Sequence, residues 1–108
     1  MFEAVVSQEG KVLTLSLRGE CDLQTSPELA ELITASIATG YSSIKIDLRG
    51  LTFIDSTGLR TLMQAKDRIE SAGADLSIVP GSRAVMRVFE IVGLLDELPF
   101  EGIGRATL

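Results

Sequence analysis

Residues 44–49 read IKIDLR, and their alternation decides how the chain is arranged. Ile44, Ile46 and Leu48 fall on one side of an extended backbone, and Lys45, Asp47 and Arg49 on the other. The pattern recurs in VLTLSL (12–17), where Leu13, Leu15 and Leu17 alternate with Val12, Thr14 and Ser16. In DLSIV (75–79), Leu76 and Ile78 alternate with Asp75 and Ser77. Each segment therefore predicts a strand with one buried and one wet face. Residues 2–7 predict a further strand, turned into VLTLSL through QEGK.

Helix-period segments separate these strands. Residues 26–39 place Leu29, Leu32, Ile33 and Ile37 on one face, with Ser26 as N-cap and Pro27 in the first turn. Residues 57–72 do the same with Leu59, Leu62, Met63 and Ile69, ending at Gly73. Residues 83–92 follow with Val85, Val88, Phe89 and Val92, between Ser82 and Gly93. LLDELPF (94–100) predicts a short turn and an edge strand, and EGIGRATL (101–108) a weakly ordered end.

Strand-helix-strand units imply parallel neighbours joined by right-handed crossovers. If helices covered both faces, the central strands would be almost continuously apolar. Lys45, Asp47 and Arg49 occupy a central strand, so the helices belong on one face. The predicted class is α/β: a small mixed, mostly parallel sheet of four to five strands, with helices stacked mainly on one face.

Composition sets the outer bounds. A chain of 108 residues fits one domain, 1–108, with a single core and no disulfides. Aromatic residues make up 5%, so that core rests on Leu, Ile and Val. The net charge of −5 is spread along the chain with no basic stripe, which argues against nucleic acid as a partner. One cysteine and no histidine exclude an intrachain disulfide and deprive a zinc site of its usual ligands. A lone thiol agrees with a reducing compartment. No apolar run reaches the length of a membrane span, and MFEAVVSQEG is not a signal peptide. The expectation is a cytoplasmic protein without membrane insertion.

Following the strand outward leads to FIDSTGLRTL (53–62), where Asp55, Ser56, Thr57 and Gly58 stand between a strand and a helix. Asp, Ser and Thr side chains cap helices by accepting bonds from unpaired first-turn amides. The same place, a helix N-terminus at the carboxyl end of a parallel strand, also favours an anion and collects sites in open α/β sheets. Cap and site both remain open on these residues alone. Catalysis is not indicated: a serine nucleophile needs a base, and the chain has no histidine. The surrounding I-D-S-T-G is not a nucleophile elbow, no phosphate loop of the G-x-x-x-x-G-K-[ST] kind occurs, and the terminal GIG is not a dinucleotide motif. The reading is of a non-enzyme with no cofactor, no metal and no catalytic residue.

IDLRGLTFIDSTGLRTL (46–62), together with RGECDLQTSPEL (18–29), resembles the STAS domain of bacterial anti-sigma factor antagonists. The likeness runs from about the first strand to LPF, and D-S-T-G-L after an aliphatic strand is its specific part. It implies a small sheet with helices largely on one side. It also implies that Ser56, which follows the aspartate of that block, is phosphorylated by an anti-sigma factor with serine kinase activity. The unphosphorylated form would bind that anti-sigma factor and free the sigma factor, and a phosphoserine phosphatase would restore it. Asp22 of GECD matches an acidic residue that relatives use in partner contact or phosphorylation.

The resulting partner-binding set is Asp22, Asp55, Ser56, Thr57, Gly58 and Arg60, expected at one edge. Within it, Asp55 either caps the helix or meets the partner, and Asp22 either shapes a turn or does so. Arg60 faces solvent or an acidic partner. The alternative implied by the same resemblance is a STAS subunit without phosphate cycling, structural or sensory, in a stress-signalling or transporter-associated complex. The short end EGIGRATL, and Cys21 at a position often aliphatic in the family, depart from the pattern and bear on partner choice.

Overall fold

The computed structural model describes residues 1–102. Its elements are β1 (Phe2–Glu9), β2 (Val12–Cys21), α1 (Ser26–Ala38), β3 (Ser43–Ile54), α2 (Ser56–Ser71), β4 (Asp75–Val79) and α3 (Arg83–Ile91). The strands lie side by side in chain order, with β1 antiparallel to β2 and the pairs β2/β3 and β3/β4 parallel. Gly10 at the β1–β2 turn has φ +60°, a conformation natural to glycine, so QEGK turns as predicted.

Register explains the layering. Leu13 and Leu15 sit beside Ile44 and Ile46, which sit beside Leu76 and Ile78. All six are buried in one cluster with Leu29 and Ile33 of α1, Leu62 and Ile69 of α2, and Val85 and Phe89 of α3. The helices thus cover this face, as the alternation in IKIDLR requires. On the other face Lys45 pairs with Glu101 at 3.1 Å. Asp47 is buried there, yet charged: Arg49 donates from Nη2 to Oδ2 at 2.8 Å and from Nε and its own amide to Oδ1 at 3.0 and 2.9 Å. Those bonds hold the Asp47 carboxyl below its usual range against the opposing effect of burial.

Past Leu48 the period-2 rule fails. Ser16 pairs with Asp47 and Arg18 with Gly50, then Gly19 with Leu51 and Glu20 with Phe53. Between Ser16 and Arg18, and again between Gly19 and Glu20, β3 carries one extra residue, a bulge that resets which side chains face inward. Leu51 and Ile54 are buried in consequence, and β3 runs on to Ile54, up to the Asp55 junction.

Two terminal expectations were adjusted by packing. The cap residue of α1 is Thr25, without a side-chain capping bond, and Ser26 is instead the first helical residue and buried. The edge strand in LLDELPF is a single parallel bridge, Ile78 with Phe100, held by Ile78 N to Pro99 O at 3.0 Å and Glu101 N to Ile78 O at 2.8 Å. Phe100 packs edge-on against Phe89 at 5.1 Å. Of the end 101–108, residues 101 and 102 form a turn, and 103–108 lie outside the described residues.

Candidate functional site

β3 ends at Ile54, and α2 begins two residues later, at Ser56. Asp55 between them is extended, with φ −113° and ψ −174°, the geometry of an N-cap. Its Oδ1 accepts from Thr57 N at 2.9 Å and Gly58 N at 3.0 Å. Its Oδ2 accepts from Leu23 N at 3.2 Å, and its amide donates to Cys21 O at 3.2 Å. One carboxylate therefore caps the helix and also ties down the loop after β2.

Ser56, the first helical residue, is exposed, and its hydroxyl has no partner among the described residues. Thr57 is half-buried in the first turn. Gly58 is buried, and a Cβ there would lie 2.6 Å from Cys21 O and 2.9 Å from Cys21 Sγ. A bare backbone is what lets α2 start hard against the end of β2, so Gly58 belongs to the packing beneath the site. Arg60 is exposed and has no ion-pair partner among the described residues.

Asp22 organises the neighbouring loop. Its Oδ1 accepts from Gln24 N and Thr25 N, both at 3.0 Å. Thr25 Oγ1 accepts from Asp22 N at 3.0 Å and donates to Glu20 O at 2.7 Å. Bonds from Thr25, its amide foremost, keep the Asp22 carboxyl below its ordinary range despite some desolvation. Asp22 thus does shape a turn, as an Asx residue can, and stays ionised while doing so.

Behind these groups lies Cys21, fully buried, its thiol pushed up to about 11 chiefly by burial. The adjacent Ser26 hydroxyl, itself buried and without an ordinary hydrogen bond, acts in the opposite direction, and the charges of Asp55 and Asp22 add to the rise. Such a thiol is not a nucleophile near neutral pH.

Asp22, Asp55, Ser56 and Thr57 come together at the carboxyl end of β2 and β3, with Arg60 one turn into α2. Ser82, which begins α3 by accepting from Val85 N at 3.3 Å, is set back, because β4 stops opposite Asp47 while β3 continues to Ile54. Sequence reasoning missed Leu23 and Thr25. The spacing Asp22-x-x-Thr25 signals the turn, but nothing local in the sequence signals the bond from Leu23 to a carboxylate in a different strand-helix junction.

The small four-stranded sheet with three helices is the fold of STAS-domain antagonists. Residues 3–103 match the STAS domain family, and the chain belongs to it. An anti-sigma-B factor antagonist of Staphylococcus aureus is 32% identical over 88 residues, 82% of each chain. Among solved structures, an anti-sigma factor antagonist from Mycobacterium paratuberculosis superposes with a TM-score of 0.84 at 25% identity, covering 95% of this chain and 87% of that one. SpoIIAA, an anti-sigma factor antagonist, shares the fold in its unphosphorylated form, with a TM-score of 0.75, 20% identity, and coverage of 97% and 93%. Its phosphorylated form, from Bacillus, gives 0.68, 19%, and coverage of 97% and 96%.

Proposed function

We propose that this chain is an anti-sigma factor antagonist switched by phosphate on Ser56. In the unphosphorylated state it binds an anti-sigma factor and displaces the sigma factor held there. The anti-sigma factor is itself a serine kinase: the Ser56 Oγ–P bond forms as the bond from the γ-phosphorus to ADP breaks, and the hydroxyl proton leaves to the kinase side. A phosphoserine phosphatase hydrolyses the ester and returns the binding form. The setting is cytoplasmic, which accords with the absence, among the described residues, of any helix long and apolar enough to cross a membrane. The chain acts as a regulatory binding protein and not as a catalyst.

The observation that carries this reading is the division of labour at the start of α2. Asp55 does the capping, so the Ser56 hydroxyl is spare, exposed and held on a rigid backbone where an enzyme can reach it. The names of the Staphylococcus aureus relative and of SpoIIAA, known in two phosphorylation states, support it. Incubation with an anti-sigma factor kinase and ATP, followed by mass spectrometry, tests it. One phosphate should appear on Ser56 and vanish in Ser56→Ala; phosphate on Thr57 of the wild type would give the role to the wrong residue.

A further inference from the structure

The loop after β2 contains a feature that the switch alone does not require. Leu23 is 71% exposed, yet its backbone is tied down. Its amide is bonded to Asp55, and the next two amides are bonded to Asp22. A surface loop usually spends such bonds on presenting polar groups; this one presents a leucine. Phe53, two residues before Asp55 and paired with Glu20 of β2, is 49% exposed at the same end of the sheet. Leu23 follows β2 by two residues and Phe53 is the next-to-last residue of β3, so both lie at the strand exits that lead to Ser56.

We infer that Leu23 and Phe53 are the apolar anchors by which the unphosphorylated chain grips its partner, an anti-sigma factor surface that is apolar at its centre and basic at its rim. This rests on the function proposed above and specifies the contact. Truncated anchors dominate interface energetics when they are large, apolar and fixed before binding, because little ordering entropy remains to be lost. The basic rim follows from charge. Glu20, Asp22 and Asp55 lie at this end of the sheet; the N-terminal ammonium pairs with Glu20 at 3.2 Å, and with Arg60 one turn into α2 the three carboxylates still outnumber the two cations. Leu23 is also held by the residue that precedes Ser56, so the anchor and the switch share one rigid support.

Titration against the kinase that phosphorylates Ser56 tests the inference, using Leu23→Ser, Phe53→Ser, Ser56→Asp and the control Ile91→Ser. Ile91 is likewise 71% exposed but lies at the far end of α3. Circular dichroism establishes that each variant is folded. Leu23→Ser and Phe53→Ser should each weaken binding about tenfold or more, the threshold of a true anchor, while Ile91→Ser stays near wild type. If both bind within about threefold of wild type, the anchors are rejected, and loss with Ser56→Asp in the same series shows that the switch still stands. Loss at Leu23 and Phe53 with full binding by Ser56→Asp keeps the anchors and rejects the switch. Equal loss with Ile91→Ser would overturn the assignment of this surface.

Discussion

At Ser56 a phosphate would add about −1.5 to −2 charges at neutral pH. The sequence suggests that unpaired helix amides await that charge, but Asp55 already occupies those of Thr57 and Gly58, and Leu59 donates to the Asp55 carbonyl at 3.0 Å. Only the amide of Ser56 itself is left. The phosphate therefore gains at most the general dipole term of about 0.3–1 kcal/mol. It meets repulsion from Asp55 of about 1 kcal/mol per charge pair at close range in water. These leave a net cost of about 1 kcal/mol, so the phosphorylated chain should stay folded and melt only several degrees below the unmodified one. At a packed interface the same group must be dehydrated, which costs several kcal/mol when it is unpaired, and about 1.4 kcal/mol is a factor of ten in affinity. Calorimetry and a binding titration on the phosphorylated form should show an intact transition and an affinity lower by orders of magnitude. A collapsed transition would place the switch in the fold instead.

Between elements, the join of α2 to β2 depends on a missing side chain. Gly58→Ala sets a methyl group 2.6 Å from the Cys21 carbonyl oxygen, and neither backbone can easily retreat. Overpacking of this kind costs about 1–3 kcal/mol, which urea denaturation should register as a lower midpoint. Any loss of partner binding in that variant would be secondary to it. The bulged strand β3 offers a second test. Asp47 has a folded pKa below its unfolded value because Arg49 bonds to it, so its contribution is present above about pH 4 and fades as pH falls through the folded value. Arg49 is 73% exposed, which keeps the expected cost of Asp47→Asn near 1 kcal/mol at pH 7. The gap between wild type and variant in urea should narrow toward pH 3; a constant gap would mean the ion pair contributes nothing.

The elements differ in how legible they were. Residues 44–47 of IKIDLR announced their two faces, because the ladder is free of bulges up to Asp47 and so preserves alternation. LRGLTFI did not, since each extra residue in β3 shifts the phase, and a bulge is set by the partner strand. Ser26 had the residue type and the following proline of a cap, yet tertiary packing took it into the core. Asp55, Ser56 and Thr57 were readable as a cap or a site. Their division into a capping aspartate and a spare serine needed hydrogen-bond geometry, and Leu23 needed a contact 32 positions away.

For the molecule as a whole, layering confines the candidate site to one end. Three helices cover one sheet face, the other carries ion pairs, and β2 and β3 run on past β4 to meet the start of α2. The single thiol sits directly beneath that junction, closed off by Gly58 and with no exposure to solvent. This makes it a clock for the junction. A disulfide exchange reagent can reach Cys21 only when α2 lifts from β2, so the labelling rate measures the free energy of that local opening in the unmodified sequence. Near pH 8 the rate should lie far below that of the urea-unfolded chain. Once Ser56 carries phosphate it should rise no further than the small net cost of that charge allows, whereas a larger acceleration would reveal a breathing motion coupled to the modification.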